Sequence, residues 1–255
     1  MKKLTSIIAI LILGFTSVFG QNLGNVPERP LYFSLQGGPM YSRSDNSFVY
    51  EYFDHPFKLV TWQFSGAVGY DFTNAFGLRL NVGYTNNNPG AGNYWNTNYG
   101  YVSTTVADDR YFPYTFKSVN GFIDATLNLK GLHHKSSSFA PKLYAGLGFG
   151  YTFGFKATDD NLYAPQHNGD FHPWQSREEF FSKRNFVPAF RLGFIAEYNF
   201  TDVVGVFADI CGEAYGDLYN GLMPTNRLVD YLRGYAGFPF DLRGHVSLGL
   251  VFHLL

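Results

Sequence analysis

Four polar residues in the last quarter of the chain are the types that a hydrolase uses. His245 and Ser247 are two positions apart, and Asp209 and Glu213 lie in an earlier segment. A serine nucleophile, a histidine base and a carboxylate that orients the base make up an acyl-transfer site. In an extended strand, residues two apart project from the same face, and this face otherwise carries small polar residues and single charges. The pattern therefore favours interior packing, and a hydrolase is kept only as an alternative hypothesis.

Two further motifs contain residue types that could bind a ligand. HNGDFH, residues 167–172, contains potential metal ligands, but their spacing matches no standard zinc motif, so we predict a solvated loop. GLGFG, residues 146–150, has no helix signal after it and is therefore interpreted as part of a strand and not as a phosphate-binding loop. The adjacent histidines 133 and 134 are predicted to lie in a polar turn. The sequence predicts no metal site and no cofactor.

The composition differs from that of a soluble globular domain. Only 15% of the 255 residues are charged, against roughly 25% in ordinary globular chains. Aromatic residues reach 19%, with 27 Phe and 19 Tyr, and there are 28 Gly. The net charge of −1 provides no basic surface for nucleic acid, so no nucleic-acid partner is expected. The single cysteine, Cys211, excludes an internal disulfide.

The N-terminus has the layout of a secretory signal. Lys2 and Lys3 precede an apolar core at residues 7–15, and small residues lead to Gly20. This pattern predicts a signal peptide over residues 1–20 that is cleaved on export. A short periplasmic segment is expected at 21–29 and one barrel domain at 30–255. After residue 20, no apolar run is long enough for a transmembrane helix.

Strict alternation of apolar and polar residues recurs along the rest of the chain. In the stretch from Phe76 to Tyr84, for example, the even positions are apolar, and the odd positions hold Gly77, Arg79, Asn81 and Gly83. A period of two over this length is the signature of a β-strand. Eight strands are predicted, at residues 30–42, 59–72, 76–86, 115–130, 140–156, 186–200, 203–214 and 241–254.

The connections between these strands alternate between short and long. The short ones are 73–75, 131–138 and 201–202, and the long ones are 43–57, 87–114, 157–185 and 215–240. A compact soluble domain rarely carries several unstructured loops of this length. Transmembrane barrels have short periplasmic turns and longer extracellular loops. We therefore predict an all-β protein: an eight-stranded antiparallel up-and-down transmembrane β-barrel.

The polar face of the strands is predicted to line the lumen of this barrel. It is composed mostly of Gly, Ser, Asn and Thr with isolated charges of both signs, whereas a soluble surface would carry dense Lys and Glu. Mixed charges in a narrow lumen can pair across it and so avoid isolated buried charge. The predicted polar network of the lumen is Asp71, Arg79, Lys117, Asp124, Lys142, Arg191, Glu197, Asp209, Glu213, Arg243 and His245.

The apolar face is predicted to contact lipid. Its aromatic residues cluster near the short turns and near the long loops, with aliphatic residues between them, as in the two aromatic girdles of outer-membrane barrels. The predicted girdle residues are Trp62, Tyr70, Phe72, Phe76, Tyr84, Tyr151, Phe155, Tyr198, Phe200 and Phe252.

Four segments carry a resemblance to a known class. They are GYDFTNAFGLRLNVGY, EYNFTDVVGVFAD, LYAGLGFGYTFGF and the final HVSLGLVFHLL. With these segments, residues 30–255 resemble the small eight-stranded outer-membrane barrels, namely OmpA-type transmembrane domains and the PorT-like barrels of Bacteroidota. The resemblance implies an outer-membrane location and, through the PorT-like family, participation in an envelope secretion or assembly complex.

The long loops are the candidate binding surface. Residues 86–101 are rich in Asn and Tyr, and residues 54–57 and 231–240 carry further aromatics. Tyr and Asn suit binding surfaces because a rigid aromatic adds contact area at a low cost in entropy. We expect a monomeric outer-membrane barrel in contact with outer-membrane lipid, with a structural or partner-binding role. A lipid A-modifying enzyme and a narrow pore are the alternatives.

Overall fold

A computed structural model describes residues 27–43, 60–88, 91–93, 111–132, 138–157, 170–172, 175–176, 184–216 and 240–254. The predicted signal peptide at 1–20, most of the four long loops and residues 167–169 of the segment HNGDFH lie outside these described residues. Residues 170–172 of that segment, predicted as part of a loop, form a short strand. Among the described residues, no helix combines the length and the hydropathy that crossing a bilayer would require.

The described part of the chain is built almost entirely of strands. In chain order, these are β1 (Leu31–Arg43), β2 (Val60–Asp71), β3 (Phe76–Asn87), β4 (Ala91–Asn93), β5 (Tyr111–Asn128), β6 (Phe139–Ala157), β7 (Asp170–His172), β8 (Gln175–Ser176), β9 (Asn185–Asn199), β10 (Val204–Gly216) and β11 (Phe240–Leu254), with one short helix, α1 (Leu129–Leu132), between β5 and β6.

Eight of these strands form a closed antiparallel barrel. Each long strand pairs with the next long strand along the chain, β3 pairs with β5, and β11 returns to pair with β1. The short strand β4 extends the sheet beside β5, and β7 pairs with β8 in a separate two-stranded sheet. The eight predicted strands and their up-and-down order are therefore confirmed.

The predicted fourth strand ends earlier than expected. The sequence pattern extended it to residue 130, but β5 ends at Asn128 and α1 follows. The side-chain Oδ1 of Asn128 accepts a hydrogen bond from the Lys130 backbone at 3.1 Å. An asparagine that satisfies a free backbone N–H in this way favours the start of a helix.

The barrel has its apolar side chains outside and its polar side chains inside. Leu147 and Leu248 are 74% and 71% exposed on the outer surface, whereas Arg79 and Asp124 are buried within the barrel. In water this arrangement would leave a large apolar surface exposed and would bury charge. In a bilayer, hydrocarbon solvates the outer surface, and the closed wall pairs the backbone of every strand. The barrel is therefore of the transmembrane type.

Two of the short turns use the same local device. In each, a threonine side chain accepts hydrogen bonds from the two backbone N–H groups that lie two and three residues later; the threonines are Thr73 and Thr201. The backbone N–H of each threonine also donates to the carbonyl three residues on. The repeated sequence Phe-Thr-Asx in the two turn segments therefore has a conformational cause, since a threonine hydroxyl can replace turn hydrogen bonds.

A bulge changes the facing of one strand near the long loops. Gly154 has φ +65°, and between the pairs Lys117–Phe153 and Thr115–Lys156 the strand β6 advances by one residue more than β5. The extra residue turns Phe155 into the barrel, where its ring stacks on Phe116 with centroids 5.0 Å apart. The prediction that Phe155 faces lipid is wrong, because strict alternation does not continue through a bulge.

Lys117 also departs from its predicted position. Its side chain is exposed, and its neighbours Phe116 and Ser118 point inward. The prediction that Lys117 belongs to the lumen is wrong, because in β5 the odd positions point outward. Its polarity alone suggested the lumen, but its place at the long-loop end of the strand lets the charge reach water.

The other predicted girdle residues lie on the outer face. Near the short turns the rings of Tyr70 and Phe72 are 5.3 Å apart, as are those of Tyr198 and Phe200. The remaining positions are exposed or half-buried there: Trp62, Phe76, Tyr84, Tyr151 and Phe252. Contact of these residues with lipid stays a prediction.

The bulge gives a test of local backbone strain. Gly154→Ala should lower the free energy of unfolding by about 1–2 kcal/mol, because a Cβ is disfavoured in the left-handed region. Gly212→Ala is the matched control, since a Cβ there has no neighbour within 4 Å, and it should change stability by less than about 0.5 kcal/mol. Urea unfolding in lipid vesicles measures both. Equal effects of the two substitutions would contradict the bulge.

The outer surface gives a test of the membrane-spanning orientation. Leu248→Arg places a charge at the middle of β11 and should cost about 2–4 kcal/mol in vesicles, because a cation at the bilayer midplane loses its hydration. Leu254→Arg, at the turn end of the same strand, should cost at most about 1 kcal/mol. The same urea titration compares them, and a Leu248→Arg effect no larger than the control would refute this orientation.

Candidate functional site

The polar lumen brings together most of the predicted network. Asp71 lies half-buried at the turn end, and Lys117 lies outside, as described above. The other nine predicted residues are buried inside the barrel: Arg79, Asp124, Lys142, Arg191, Glu197, Asp209, Glu213, Arg243 and His245.

Strand register places five of the buried charged residues in a single row around the barrel. Directly paired residues form a spiral that leaves β1 at Tyr32 and returns to β1 at Ser42, ten residues further along. This displacement is the shear that fixes the tilt and width of a closed barrel. In order, the row is Tyr32, Gly69, Arg79, Asp124, Gly146, Arg191, Glu213, Arg243 and Ser42.

The five charged members of this row alternate in sign, and we call them the charged row: Arg79, Asp124, Arg191, Glu213 and Arg243. They come from five different strands, and successive members carry opposite charges. Gly146 separates Asp124 from Arg191, and the other successive members are directly paired. Opposite charges on directly paired positions stabilise a sheet, and in a lumen they also leave few buried charges without a partner.

Asp124 is the centre of the charged row. Its carboxylate accepts from Arg79 Nε at 2.8 Å and from Arg191 Nε and Nη2 at 2.7 and 2.6 Å. Arg191 reaches it across Gly146, where a Cβ would overlap the Asp124 carboxylate. Arg191 also donates from Nη1 to Asn81 Oδ1 at 3.1 Å. One carboxylate therefore holds two guanidinium groups from opposite sides.

A second cluster lies nearer the long loops. Arg243 pairs with Glu213, to which the Tyr215 hydroxyl also donates at 2.8 Å. Arg243 donates further from Nη1 to Thr85 Oγ1 at 3.1 Å, across the lumen from β11 to β3. This bond ties together strands that are not neighbours in the wall.

A third cluster lies nearer the short turns. Lys142 Nζ is 2.9 Å from Glu197 Oε2, and Nε2 of His253 lies 3.3 Å from Glu197 Oε1. The Asn199 side chain donates to Glu197 at 3.0 Å. The Lys142 ammonium also lies 5.1 Å from the centroid of the Tyr32 ring. The buried carboxylate of Glu197 is therefore surrounded by hydrogen-bond donors.

Asp209 differs from the other buried acids because its observed hydrogen bonds come from neutral groups. Tyr144 donates its hydroxyl to Oδ1 at 2.8 Å, and Gln36 donates to Oδ2 at 3.1 Å. The same Tyr144 ring lies under the Arg79 guanidinium, at 4.2 Å from the ring centroid. Tyr144 thus links Asp209 to the charged row.

Sequence reasoning missed the aromatic members of the lumen. Tyr32, Phe122, Tyr144 and Tyr215 are buried inside, and the Arg191 guanidinium lies 4.2 Å from the Phe122 ring centroid. Their positions indicate the lumen, since each lies an even number of residues from the polar residues of its strand and therefore on the same face. The lumen was predicted from small, polar and charged residue types, so these four aromatic residues were left unassigned.

The hydrolase alternative requires a contact that the lumen geometry does not provide. Both His245 and Ser247 are buried on the inner face, but Ser247 Oγ accepts a hydrogen bond from Gln63 at 2.5 Å. Neither ring nitrogen of His245 has a hydrogen-bond partner among the described residues. A nucleophile and its base must lie within hydrogen-bond reach, so this pair is not arranged for acyl transfer.

Comparison with solved structures finds neighbours of low sequence identity. No protein-family model and no curated protein sequence matches the chain. Among solved structures, neisserial surface protein A is 13% identical, with 88% of this chain and 97% of that chain covered and a TM-score of 0.42. The outer-membrane protein OprG from Pseudomonas aeruginosa is 14% identical, with 91% and 99% covered and a TM-score of 0.43.

A third neighbour is Ail, the attachment invasion locus protein of Yersinia pestis. It is 12% identical, covers 87% of this chain and 97% of its own, and has a TM-score of 0.40. Because these identities and TM-scores are low, the fold assigned to this chain rests on its own strand pairings and burial.

The charged row gives a test of lumen energetics. Asp124→Asn should lower the free energy of unfolding by about 3–5 kcal/mol, because it leaves two buried guanidinium groups without their shared counter-charge. Lys117→Gln removes an exposed charge and should change stability by less than about 0.5 kcal/mol. Adding Arg79→Met to Asp124→Asn should recover part of the loss. Urea unfolding in vesicles measures all three, and an Asp124→Asn effect equal to the control would contradict the central role of Asp124.

Proposed function

We propose that this chain is an exported integral outer-membrane protein whose barrel is a closed, rigid scaffold. Its role is structural or partner-binding, and its loops carry that role. The narrower hypothesis is a place in an envelope secretion or assembly complex, which follows from the PorT-like resemblance of the strand segments.

The observation that supports this proposal is the bridging of the lumen by charged side chains. Arg191 of β9 bonds to Asp124 of β5 and Asn81 of β3, and Arg243 of β11 bonds to Thr85 of β3. A solute that passed through would have to separate these buried pairs, at a cost of several kcal/mol for each ion left unpaired. A plugged lumen favours a scaffold over a pore.

The loops are the part of the chain that such a scaffold would display. The segments between β1 and β2, β3 and β5, β6 and β9, and β10 and β11 all leave the barrel at one end. Binding residues commonly lie on loops held by a rigid framework. The Asn- and Tyr-rich composition of residues 86–101 is suited to recognition of a protein partner.

The barrel wall also supports a monomer. Every one of the eight wall strands is paired on both sides, so the sheet offers no wall edge to a second copy. Lipid is then the expected neighbour of the outer face, and the proposed partner is an envelope protein that contacts the loops.

The test combines bilayer recording with affinity purification from native membranes. The purified wild-type barrel should give no discrete current steps in planar bilayers, because the charged row fills the lumen. A tagged wild-type protein should co-purify with an envelope protein at fixed stoichiometry after cross-linking. That partner should be lost when residues 94–110 are replaced by a short Gly-Ser linker, which leaves all the wall strands in place.

A variant with residues 158–169 replaced by a linker of the same kind is the matched control for shortening a loop, and it should keep the partner, because these residues lie outside the predicted binding segments. Heat-modifiable migration on gels verifies that each variant is folded. Discrete current steps in the wild type would refute the closed scaffold. A partner retained after replacement of residues 94–110, or the absence of any stoichiometric partner, would refute binding through this loop.

A further inference from the structure

Three potential metal ligands converge inside the barrel on adjacent strands. Cys211 and Glu213 are two residues apart on β10, and His245 of β11 is directly opposite Cys211. One donor atom from each, the sulfur, a carboxylate oxygen and a ring nitrogen, lies within 4.8 Å of the others. All three side chains are buried. Strand pairing, and not spacing along the sequence, brings this donor set together.

His245 is the residue whose environment is otherwise unexplained. It is only 4% exposed, yet neither ring nitrogen has a hydrogen-bond partner among the described residues. A buried imidazole without partners is costly, because it gives up its hydrogen bonds to water. Its Nδ1 lies 3.9 Å from Glu213 Oε1, too far for a hydrogen bond and directed into the cluster. A ligand between these atoms would satisfy the ring.

Glu213 has one oxygen available for such a ligand. Its Oε2 accepts from Arg243 and Tyr215, whereas Oε1 faces His245 and lies 3.8 Å from Arg191 Nη1. Arg191 is itself held by Asp124 through two shorter contacts. The carboxylate is therefore oriented by its other oxygen, as carboxylate ligands in metal sites commonly are.

We propose that Cys211, Glu213 and His245 form a binding site for one divalent transition-metal ion of the Zn²⁺ class. Thiolate, imidazole and carboxylate together are the donors that zinc selects. In a tetrahedral site the donor atoms are about 3.3–3.8 Å apart, so side-chain rotation needs to close the cluster by about 1 Å. Binding replaces the S–H bond of Cys211 by a metal–sulfur bond, and the proton passes to solvent.

Such an ion would bridge β10 and β11 and contribute to folding free energy. Three protein ligands leave a tetrahedral ion one further position, which a water molecule can fill. The two positive charges of the ion balance the negative charges of the thiolate and the carboxylate. The site is independent of the proposed role of the loops, since all its ligands lie in the wall.

Cobalt is the probe for this site, because a cobalt–thiolate bond absorbs in the near ultraviolet. The full-length protein is refolded into detergent with Co²⁺ present, so that access to the buried site is not limiting. We expect one equivalent of Co²⁺ with a thiolate charge-transfer band, displaced by Zn²⁺. Cys211→Ser should abolish the band. His245→Gln should weaken binding by more than about tenfold, since the loss of outer-shell partners alone has that effect.

His253→Gln is the matched control, because His253 is a second histidine of β11 but pairs with Glu197. It should leave the cobalt band unchanged. Histidines in the loops are present in all variants, so they cannot produce the difference. Absence of the band in the wild type would overturn the proposal, as would equal affinity in His245→Gln.

A second measurement keeps the result independent of whether the variants fold. X-ray absorption at the zinc edge of the wild-type protein refolded with one equivalent of Zn²⁺ reports the ligand atoms directly. A shell with one sulfur and two or three lighter donors supports the site. A shell of nitrogen and oxygen alone overturns it.

Discussion

Within the hydrocarbon of a bilayer there is no water to satisfy a peptide group, and the rest of this molecule follows from that constraint. Every N–H and C=O of the wall must find a partner in a neighbouring strand. The chain meets this demand by pairing each strand with the next and by joining β11 to β1. Closure leaves one side of each strand facing lipid and the other facing a narrow lumen. As a consequence, apolar side chains lie on the outside of the barrel and polar side chains lie on the inside.

Closure also fixes the geometry of the interior. A shift of ten residues around eight strands sets the tilt and width of the barrel, and the side chains must fill the space that results. Two glycines lie beneath large side chains of the lumen. Gly69 lies beside the Tyr32 ring and Gly193 lies beside the Tyr144 ring, and a Cβ at either position would overlap that ring. The interior is a packed core of charged and aromatic groups, and its ion pairs take the place of hydration.

The departures from the predicted pattern have local causes. Phe155 turned inward because Gly154 adopts a conformation that suits glycine and shifts the alternation by one residue. Lys117 was assigned to the lumen from its charge, although its odd position in β5 points outward. Tyr144 and Phe122 were not among the residues predicted for the lumen, although their rings lie against guanidinium groups inside the barrel. Residue type was therefore a weaker guide than the position of a residue in its strand or the local backbone geometry.

The amino-acid sequence by itself determined the eight wall strands and their order. It also determined the face on which Arg79 or Leu248 lies, because a period of two is a local property of an extended chain. The short strands β4, β7 and β8 were not predicted. Only the tertiary structure decided which charges meet. Arg79 and Asp124 are 45 residues apart and Arg191 is 67 residues further on, yet one carboxylate holds both arginines. The grouping of Cys211 and Glu213 with His245 was decided in the same way. Such contacts depend on register between strands, and a shift of two residues would preserve every facing while exchanging every partner.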